Sequence, residues 1–204
     1  MVKYNALNII AVKVYDAELA GGIVSGDIGI FTSNFGIKMD VNLQGSWKFK
    51  IGDDFSRKEK IYNDFGWNEI FVPAKWEDQG YKKYDGYAWY RKSFEYDGNI
   101  PTENMVVIMG RIDDADQVYI NGVLVGTTGN MPKIEGKGFS TNTEWRAFRG
   151  YYFPSSLLKK GEKNIIAVRV FDQGGEGGIY EGPVGIVSQS KYIDYWRKRK
   201  RSNW

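Results

Sequence analysis

Short segments in which apolar and polar residues alternate, each bounded by turn-forming residues, fill most of the chain after residue 40. The clearest is a hairpin from Asp116 to Gly126, in which QVYI and VLVG flank Asn121-Gly122, a dipeptide typical of a tight type I′ turn. Because alternate residues of a strand point to opposite faces, such segments bury one face of a sheet against another sheet. The pattern predicts an all-β fold, an antiparallel β-sandwich of roughly eight to nine short strands with no long helix. The other predicted strands are Val41–Ile51, Trp67–Val72, Gly86–Tyr96, Asn104–Ile112, Asn164–Asp172 and Gly182–Ser188.

An internal repeat divides the chain. Residues Asn8–Phe31 align without gaps with Asn164–Val187, and about half of the positions are identical. The second copy closes the main series of strands, whereas the first has no such series before it. We therefore interpret 1–32 as the C-terminal fragment of a preceding repeat of the same domain, 38–190 as the main domain, and 191–204 as a basic-aromatic tail. An isolated hairpin is marginally stable in water, so we expect 1–32 to be poorly ordered, or to associate with a sandwich edge or with another copy of the chain.

The chain contains neither Cys nor His. This composition excludes disulfides, thiolate or imidazole zinc sites, a cysteine nucleophile and a Ser–His–Asp triad, and it argues against an antibody-type domain. A site for a hard cation made of oxygen ligands stays open. The net charge of +3 comes largely from the run Arg197–Arg201, so no nucleic-acid partner is expected. No signal peptide and no membrane span are visible.

A series of motifs resembles a known domain family by its order and spacing, from about Lys38 to Ser188. The resemblance is to the sugar-binding, galactose-binding-like jelly-roll domain of glycoside hydrolase family 2 enzymes such as β-galactosidases. A very similar domain occurs in bacterial sialate O-acetylesterases. The motifs are Gly45-Ser46-Trp47-Lys48-Phe49, Trp67 to Val72-Pro73, Trp76-Glu77-Asp78-Gln79-Gly80-Tyr81, Tyr84-Asp85-Gly86-Tyr87-Ala88-Trp89-Tyr90-Arg91, Ile112-Asp113-Asp114-Ala115-Asp116 with Tyr119-Ile120-Asn121-Gly122, and Asn164-Ile165-Ile166-Ala167-Val168-Arg169-Val170.

The resemblance implies a jelly roll with an accessory role. In that family the two catalytic glutamates lie on a separate barrel, and the esterases use a Gly-Asp-Ser motif with a His, neither of which is present here. We therefore expect a non-catalytic carbohydrate-binding module. The alternatives are a fragment of a larger glycosidase or acetylesterase, and a structural module without sugar binding. The relatives suggest a periplasmic or extracellular location, but without a visible signal peptide the location stays undetermined.

Two groups of residues are candidates for a sugar site, because sugars stack on aromatic rings and need fixed polar groups for their hydroxyls. An Arg fork, which Arg149-Gly150-Tyr151 offers in the position of the family's Arg-x-Tyr, can span adjacent hydroxyls. The alternatives are core packing of the aromatic residues and an Arg–carboxylate bond that holds the loop. We expect the two loops that carry most of these residues to meet at one end or face of the sandwich. The candidates are Trp76, Glu77, Gln79, Tyr81, Tyr84 and Asp85 in one group, and Trp145, Arg146, Arg149 and Glu181 in the other.

Two further motifs have plainer interpretations. The acidic run Asp113-Asp114-Ala115-Asp116 is compatible with a glycosidase carboxylate pair or a calcium site, but we favour bonds to the turn backbone and to a neighbouring Arg. No metal ligand is therefore assigned, although a structural calcium ion remains an alternative. The glycine-rich run Gly174–Pro183 lacks the Lys and the helix of a phosphate-binding loop. It is expected to approach another stretch of backbone closely, with Glu176 and Glu181 available to a ligand.

Overall fold

A computed structural model of the chain describes residues 8–12, 23, 36–132 and 143–202. The chain forms two compact units, Met1–Asn34 and Phe35–Trp204. In the first unit, residues 8–12 and 23 belong to no helix or strand, and the rest of the predicted repeat fragment at 1–32 lies outside the described residues.

The second unit is an antiparallel β-sandwich, which confirms the predicted fold class. Its sheets have the strand orders β1-β10-β5-β8 and β3-β2-β4-β9-β6-β7. The described residues contain ten strands, against the roughly eight to nine predicted. Val41–Ile51 is interrupted, and a further strand begins at Phe148 inside the predicted loop 131–150. The strands are β1 Val41–Asn42, β2 Gly45–Ile51, β3 Asn68–Val72, β4 Gly86–Glu95, β5 Met105–Ile112, β6 Ala115–Ile120, β7 Val123–Thr128, β8 Phe148–Phe153, β9 Lys163–Asp172 and β10 Ile179–Ser188.

The core lies between the two sheets and follows the predicted alternation. Trp47 and Phe49 of β2 point inward and are fully buried, as the sequence indicated for Trp47. Trp89 of β4 is also fully buried, but it belongs to a separate cluster with Trp67 and Tyr119. A large inner face is what a sandwich of this size needs, because burying each large apolar side chain contributes about 1.5–3 kcal/mol.

Strands β9 and β10 each occupy an interior position, one in each sheet. Strand β9 pairs with β4 and β6 in the six-stranded sheet, and β10 pairs with β1 and β5 in the four-stranded sheet. The connection between them, residues 173–178, therefore crosses from one sheet to the other at one end of the sandwich. It carries four of the five glycines of the glycine-rich run and adjoins the pocket described below.

The β6–β7 turn was predicted from the sequence, whereas the C-terminal helix was not. Asn121 and Gly122 have φ angles of 50° and 86°, which confirms a type I′ turn at the hairpin. The sequence predicts no defined structure for the tail 191–204, but residues 191–202 belong to a helix, α1 (Gln189–Ser202). Its Tyr192 packs with Phe148 against apolar residues of β5 and β10 on the outer face of the four-stranded sheet. Among the described residues, no helix has the length and apolar character needed to cross a bilayer.

Candidate functional site

The glycine-rich connection between β9 and β10 is held by backbone and side-chain bonds from two other segments. On one side, Trp76 N donates to Gly177 O over 3.1 Å, and the Glu77 carboxylate accepts from Gly177 N at 3.0 and 3.1 Å. On the other side, Asp113 N donates to Gly178 O over 2.9 Å. The expectation that this run approaches another stretch of backbone is thus confirmed. The loop between β3 and β4 that carries Trp76 to Asp85, called the aromatic loop below, and the β5–β6 turn therefore both contact the same connection.

A polar pocket of about 440 Å³ opens beside this connection. Trp145 supplies its aromatic surface and is 38% exposed. The Arg146 guanidinium stacks over the Trp145 ring, with Cζ 4.4 Å from the ring centroid, and Tyr180 donates a 2.7 Å hydrogen bond to the Trp145 carbonyl. The pocket therefore combines one exposed indole with fixed polar groups. It is lined by Asp113, Asp114, Trp145, Gln173, Gly174 and Glu176.

Trp76 does not expose a stacking face, so its assignment as a sugar-binding residue is wrong. Its side chain is completely buried in the main core, with edge contacts to the rings of Phe49 and Tyr84. The indole lies directly on the Gly177 backbone: a Cβ added to Gly177 would be 1.8 Å from Trp76 Cε2. The glycine is needed because any side chain there would overlap the indole, and the core-packing alternative explains this tryptophan.

The other side chains of the aromatic loop mostly stabilise the loop itself. The Tyr81 ring packs on Phe49 with centroids 4.7 Å apart, and the Tyr84 hydroxyl donates to the Tyr87 carbonyl over 2.6 Å. Gln79 bonds to backbone groups of neighbouring residues. None of these three side chains lines the pocket.

Besides Trp76, the predicted site residues Glu77 and Asp85 of this loop also lie close to the glycine-rich connection. The Glu77 carboxylate accepts a hydrogen bond from Gly177 N, as described above. Asp85 is exposed, and its Oδ2 lies 3.9 Å from the position that a Cβ on Gly174 would take. The two predicted loops therefore both adjoin the glycine-rich connection at one end of the sandwich, although through few of the residues expected.

Arg149 is also placed differently from the expectation. It is fully buried, its Nε donates to Asp116 Oδ1 over 2.8 Å, and one terminal nitrogen donates to the Asp114 carbonyl over 2.8 Å. Tyr151 donates to the other Asp116 oxygen over 2.6 Å. The assignment of Arg149 to sugar hydroxyls is therefore wrong, and the alternative of an Arg–carboxylate bond that holds the loop is correct. Glu181, outside the pocket, is ion-paired with Arg111.

Three carboxylates gather at the base of the pocket. One oxygen from each of Asp113, Asp114 and Asp172 lies within 4.8 Å of the others. Asp113 accepts from Asp114 N over 2.9 Å, and Asp114 accepts from Gln173 N over 2.7 Å, which confirms the predicted bonds to turn backbone. Asp172 Oδ1 accepts from Gly174 N over 3.0 Å. Its Oδ2 is buried and has no hydrogen-bond partner within the described part of the chain.

The proximity of these groups changes their ionisation. Burial and then the charge of Asp114 raise the pKa of Asp113 to about 6. Burial raises the pKa of Asp172 to about 7, helped by the charges of Asp113, Asp114 and Asp85. The predicted site residues did not include Asp172. The available signal was an acidic residue at the end of an apolar strand, immediately before the glycine-rich run.

The arrangement does not suit direct glycoside cleavage. Paired glycosidase carboxylates are typically about 5–9.5 Å apart on either side of the scissile bond. Here the nearest oxygens of Asp113 and Asp172 are within 4.8 Å, and Asp172 is completely buried. The cluster can instead hold a positive charge or share a proton.

Comparisons with known proteins agree with this fold. No protein-family model matches the chain. A β-glucuronidase of Formosa agariphila is 27% identical over 150 residues, which cover 66% of this chain and 14% of that protein. A solved β-glucuronidase from glycoside hydrolase family 2 matches with a TM-score of 0.54 and 22% identity, over 74% of this chain and 17% of its own. A β-glycosidase from Bacteroides vulgatus matches with a TM-score of 0.54 and 24% identity, over 72% of this chain and 20% of its own.

These matches define a class: the chain has the β-sandwich fold of a small domain found in much larger glycosidases. The enzymes that share it are glycoside hydrolase family 2 β-glucuronidases and β-glycosidases, so the predicted resemblance to that family is confirmed at the level of the fold. The chain spans about a fifth or less of the length of these relatives. The resemblance to acetylesterases stays a prediction.

Proposed function

We propose that this chain is a non-catalytic carbohydrate-binding accessory module of a protein similar to glycoside hydrolase family 2 enzymes. The observation that carries the proposal is the pocket beside the β9–β10 connection, where the exposed Trp145 indole stands next to the carboxylates of Asp113, Asp114 and Glu176. An apolar ring face with fixed hydrogen-bond acceptors is the combination that recognises a sugar ring and its hydroxyls. Binding at this end of the sandwich uses loops held still by two sheets.

The charge of the pocket favours neutral or amino sugars over uronic acids. Its carboxylates accept hydrogen bonds from hydroxyl or ammonium groups, whereas a sugar carboxylate would meet like charge. Within the described residues, two cations lie beside the pocket: Arg146, which stacks over the Trp145 ring, and Lys75, which is ion-paired with Glu176. Arg149 is buried and ion-paired with Asp116. The β-glucuronidase relatives therefore do not by themselves indicate the ligand of this module.

The absence of activity in the isolated chain is part of the proposal. The chain has no His or Cys, and the cluster of Asp113, Asp114 and Asp172 is too close together and too buried to flank a glycosidic bond. Incubation with nitrophenyl β-glucuronide, β-galactoside and acetate should therefore give no turnover above background. Turnover that disappears in Asp113→Asn would contradict a non-catalytic role.

Calorimetric titration with neutral, amino and uronic sugars, and with their oligosaccharides, tests binding. Trp145→Ala should weaken binding by roughly 5- to 150-fold, since losing the burial of a large ring costs about 1–3 kcal/mol. Phe65→Ala is the matched control, because Phe65 is 92% exposed and does not line the pocket. Equal losses in the two variants, or tighter binding of uronic acids than of neutral sugars, would contradict the assigned site.

The share of the relatives that the chain covers supports a second candidate. A domain that corresponds to 14–20% of a larger enzyme can shape a sugar site whose other half lies elsewhere in the full protein. In that case the isolated chain binds no sugar on a glycan array, and adding a catalytic domain restores binding that depends on Trp145.

A further inference from the structure

Strand β3 forms one edge of the six-stranded sheet and pairs with β2. The edge of a sheet presents backbone N–H and C=O groups that can pair with a strand of another chain. Along an antiparallel strand these groups point alternately towards the neighbouring strand and away from it. The backbone groups of β3 that point away from β2 therefore decide whether this sheet can add a further strand.

The side chain of Gln79 occupies the outer edge of β3 at Phe71. Its Oε1 accepts a hydrogen bond from Phe71 N, and its Nε2 donates to Phe71 O over 3.1 Å. The same Nε2 donates to Lys75 O over 3.0 Å, which holds the amide against its own loop. A carboxamide that donates and accepts in this way makes the same pair of bonds as a residue of an added antiparallel strand. Gln79 therefore takes the place of a neighbouring strand.

Two further positions along this edge cannot pair with a new strand. Because the backbone of Phe71 bonds outward, positions 67, 69 and 73 face the same side of β3. Trp67 N already donates to Asp64 O over 3.2 Å, and Pro73 has no N–H to donate. Removal of the Gln79 amide would therefore open a short stretch of edge made of Glu69 and Phe71.

The side chains of β3 favour pairing once that stretch is open. Phe71 is 59% exposed, and the run Trp67–Val72 combines aromatic and β-branched residues with a single charge, that of Glu69. Segments of this composition pair readily with other strands when their edge is exposed. Proteins commonly protect such an edge by covering it.

We propose that the outer edge of β3 is a self-association surface and that the Gln79 side chain keeps it closed. The partner that fits is β3 of a second copy of this chain, related to the first by a two-fold axis. With the axis at Ile70, Glu69 of each copy lies opposite Phe71 of the other, and each such pair exchanges both of its backbone hydrogen bonds. No like charges are then directly opposed. This surface does not depend on sugar binding.

Sedimentation of the full chain at increasing concentration tests the proposal. At about 1 mM, Gln79→Ala should raise the average mass towards that of a dimer, whereas the unmodified chain should not show this rise; high concentration is needed because so small an interface associates weakly. Lys82→Ala truncates an exposed side chain of the same loop and should match the unmodified chain. Equal masses for Gln79→Ala and the unmodified chain, or an equal rise in both variants, would overturn the proposal.

A second substitution separates edge pairing from a loosened loop. Adding Glu69→Pro to Gln79→Ala removes an outward N–H and leaves the pairing with β2 in place, so it should restore the mass of the unmodified chain. Gln79→Met keeps the length of the side chain without its amide and should associate as Gln79→Ala does, which covers the case in which alanine unfolds the loop. Association that persists in the variant with Glu69→Pro would show that the contact lies elsewhere and would refute the proposed surface.

Hydrogen exchange locates the contact. In Gln79→Ala or Gln79→Met, the amides of Glu69 and Phe71 should exchange more slowly as the chain concentration rises, because the added strand protects them. In the unmodified chain, exchange at both amides should not depend on concentration. If exchange at these amides in the associating variants is also independent of concentration, β3 is not the interface and the proposal is wrong.

Discussion

Trp76 and Trp145 both adjoin the glycine-rich connection but lie in opposite environments. The Trp76 indole is enclosed between Phe49 of the core and the bare backbone of Gly177, whereas Trp145 is 38% exposed at the pocket. The first residue stabilises the connection, and the second is available to a ligand. Loss of either affects this end of the molecule, but for different physical reasons.

We predict that Trp76→Ala destabilises the domain as strongly as Trp47→Ala. Each removes a fully buried indole, and such truncations cost about 3–5 kcal/mol. Trp145→Ala should change the free energy of unfolding by about 0.5 kcal/mol or less, as for most exposed positions. Urea unfolding of the three variants measures the difference. If Trp76→Ala unfolds at the same urea concentration as Trp145→Ala, the indole does not belong to the core.

Residue positions in strands were predictable, and those in loops were not. Trp47 lies on an alternating strand, and its inward direction follows from the period of that strand. Trp76 lies in a loop, and Arg149 lies in β8 at a position where the sequence predicted a loop. No predicted strand period therefore told which face either residue occupies, and aromatic content and the Arg-x-Tyr spacing led to the wrong assignments. Asp172 was not predicted because it joins the carboxylate cluster only through its proximity to Asp113 and Asp114, which are distant in sequence.

At the scale of elements, the outer face of the six-stranded sheet is covered by the segment that follows β2. Its Asp53 accepts hydrogen bonds from Trp89 Nε1 of β4 at 2.9 Å and from Arg169 Nε of β9 at 2.8 Å. Phe55, in the short 3-10 helix that follows, packs edge-on against Trp89 and Tyr119. One carboxylate therefore links this covering segment to two central strands.

This link predicts an acid-sensitive contribution to stability. Burial opposes ionisation of Asp53, but hydrogen bonds from Arg169 and Trp89 outweigh it and hold its pKa below the usual 3.8. The folded pKa is therefore below the unfolded one. The contribution is fully present above about pH 4 and is lost as the pH falls below 3.8 through the folded value. Asp53→Asn should be less stable than the unmodified chain at pH 7, and the difference should shrink towards pH 2.

Denaturant unfolding between pH 2 and pH 7 measures this difference. Glu69→Gln is the control: it removes a carboxylate on the exposed edge strand β3 whose ion pair with Lys48 is open to solvent, so its effect should be small. A stability difference for Asp53→Asn that does not change with pH would show that packing, not the charge, is responsible.

Most elements followed from local patterns, but strand β8 and helix α1 did not. The hairpin of β6 and β7 was predicted from its turn residues, and the central strands from their apolar runs. Helix α1 was missed because the basic run Arg197–Arg201 dominates its composition. The signal was the spacing of Tyr192, Tyr195 and Trp196, three and four residues apart, which places them on one face of a helix. Tyr195 is indeed almost completely buried.

At the scale of the whole molecule, the repeat at 1–32 stays a prediction. Its sequence matches β9 and β10, but the sandwich of the second unit already contains both of those strands. Deleting residues 1–32 should therefore leave the Tm of the remaining chain within a few degrees of the full chain. Calorimetric unfolding of the chain from residue 33 onward measures this. A collapse of the fold on deletion would show that the segment is an integral part of the sandwich.

The interior positions of β9 and β10 have a consequence for how the protein is made. Ribosomes synthesise from the N-terminus, so β1 to β8 emerge before the two strands that complete both sheets. Until about residue 188 has left the exit tunnel, β5 lacks its partner β10 and presents an unpaired edge rich in Val, Ile and Met, and β4 lacks its partner β9 until about residue 172. Such long-range pairing slows folding and exposes aggregation-prone surface. Newly made chains should therefore depend on chaperones until the last strand emerges.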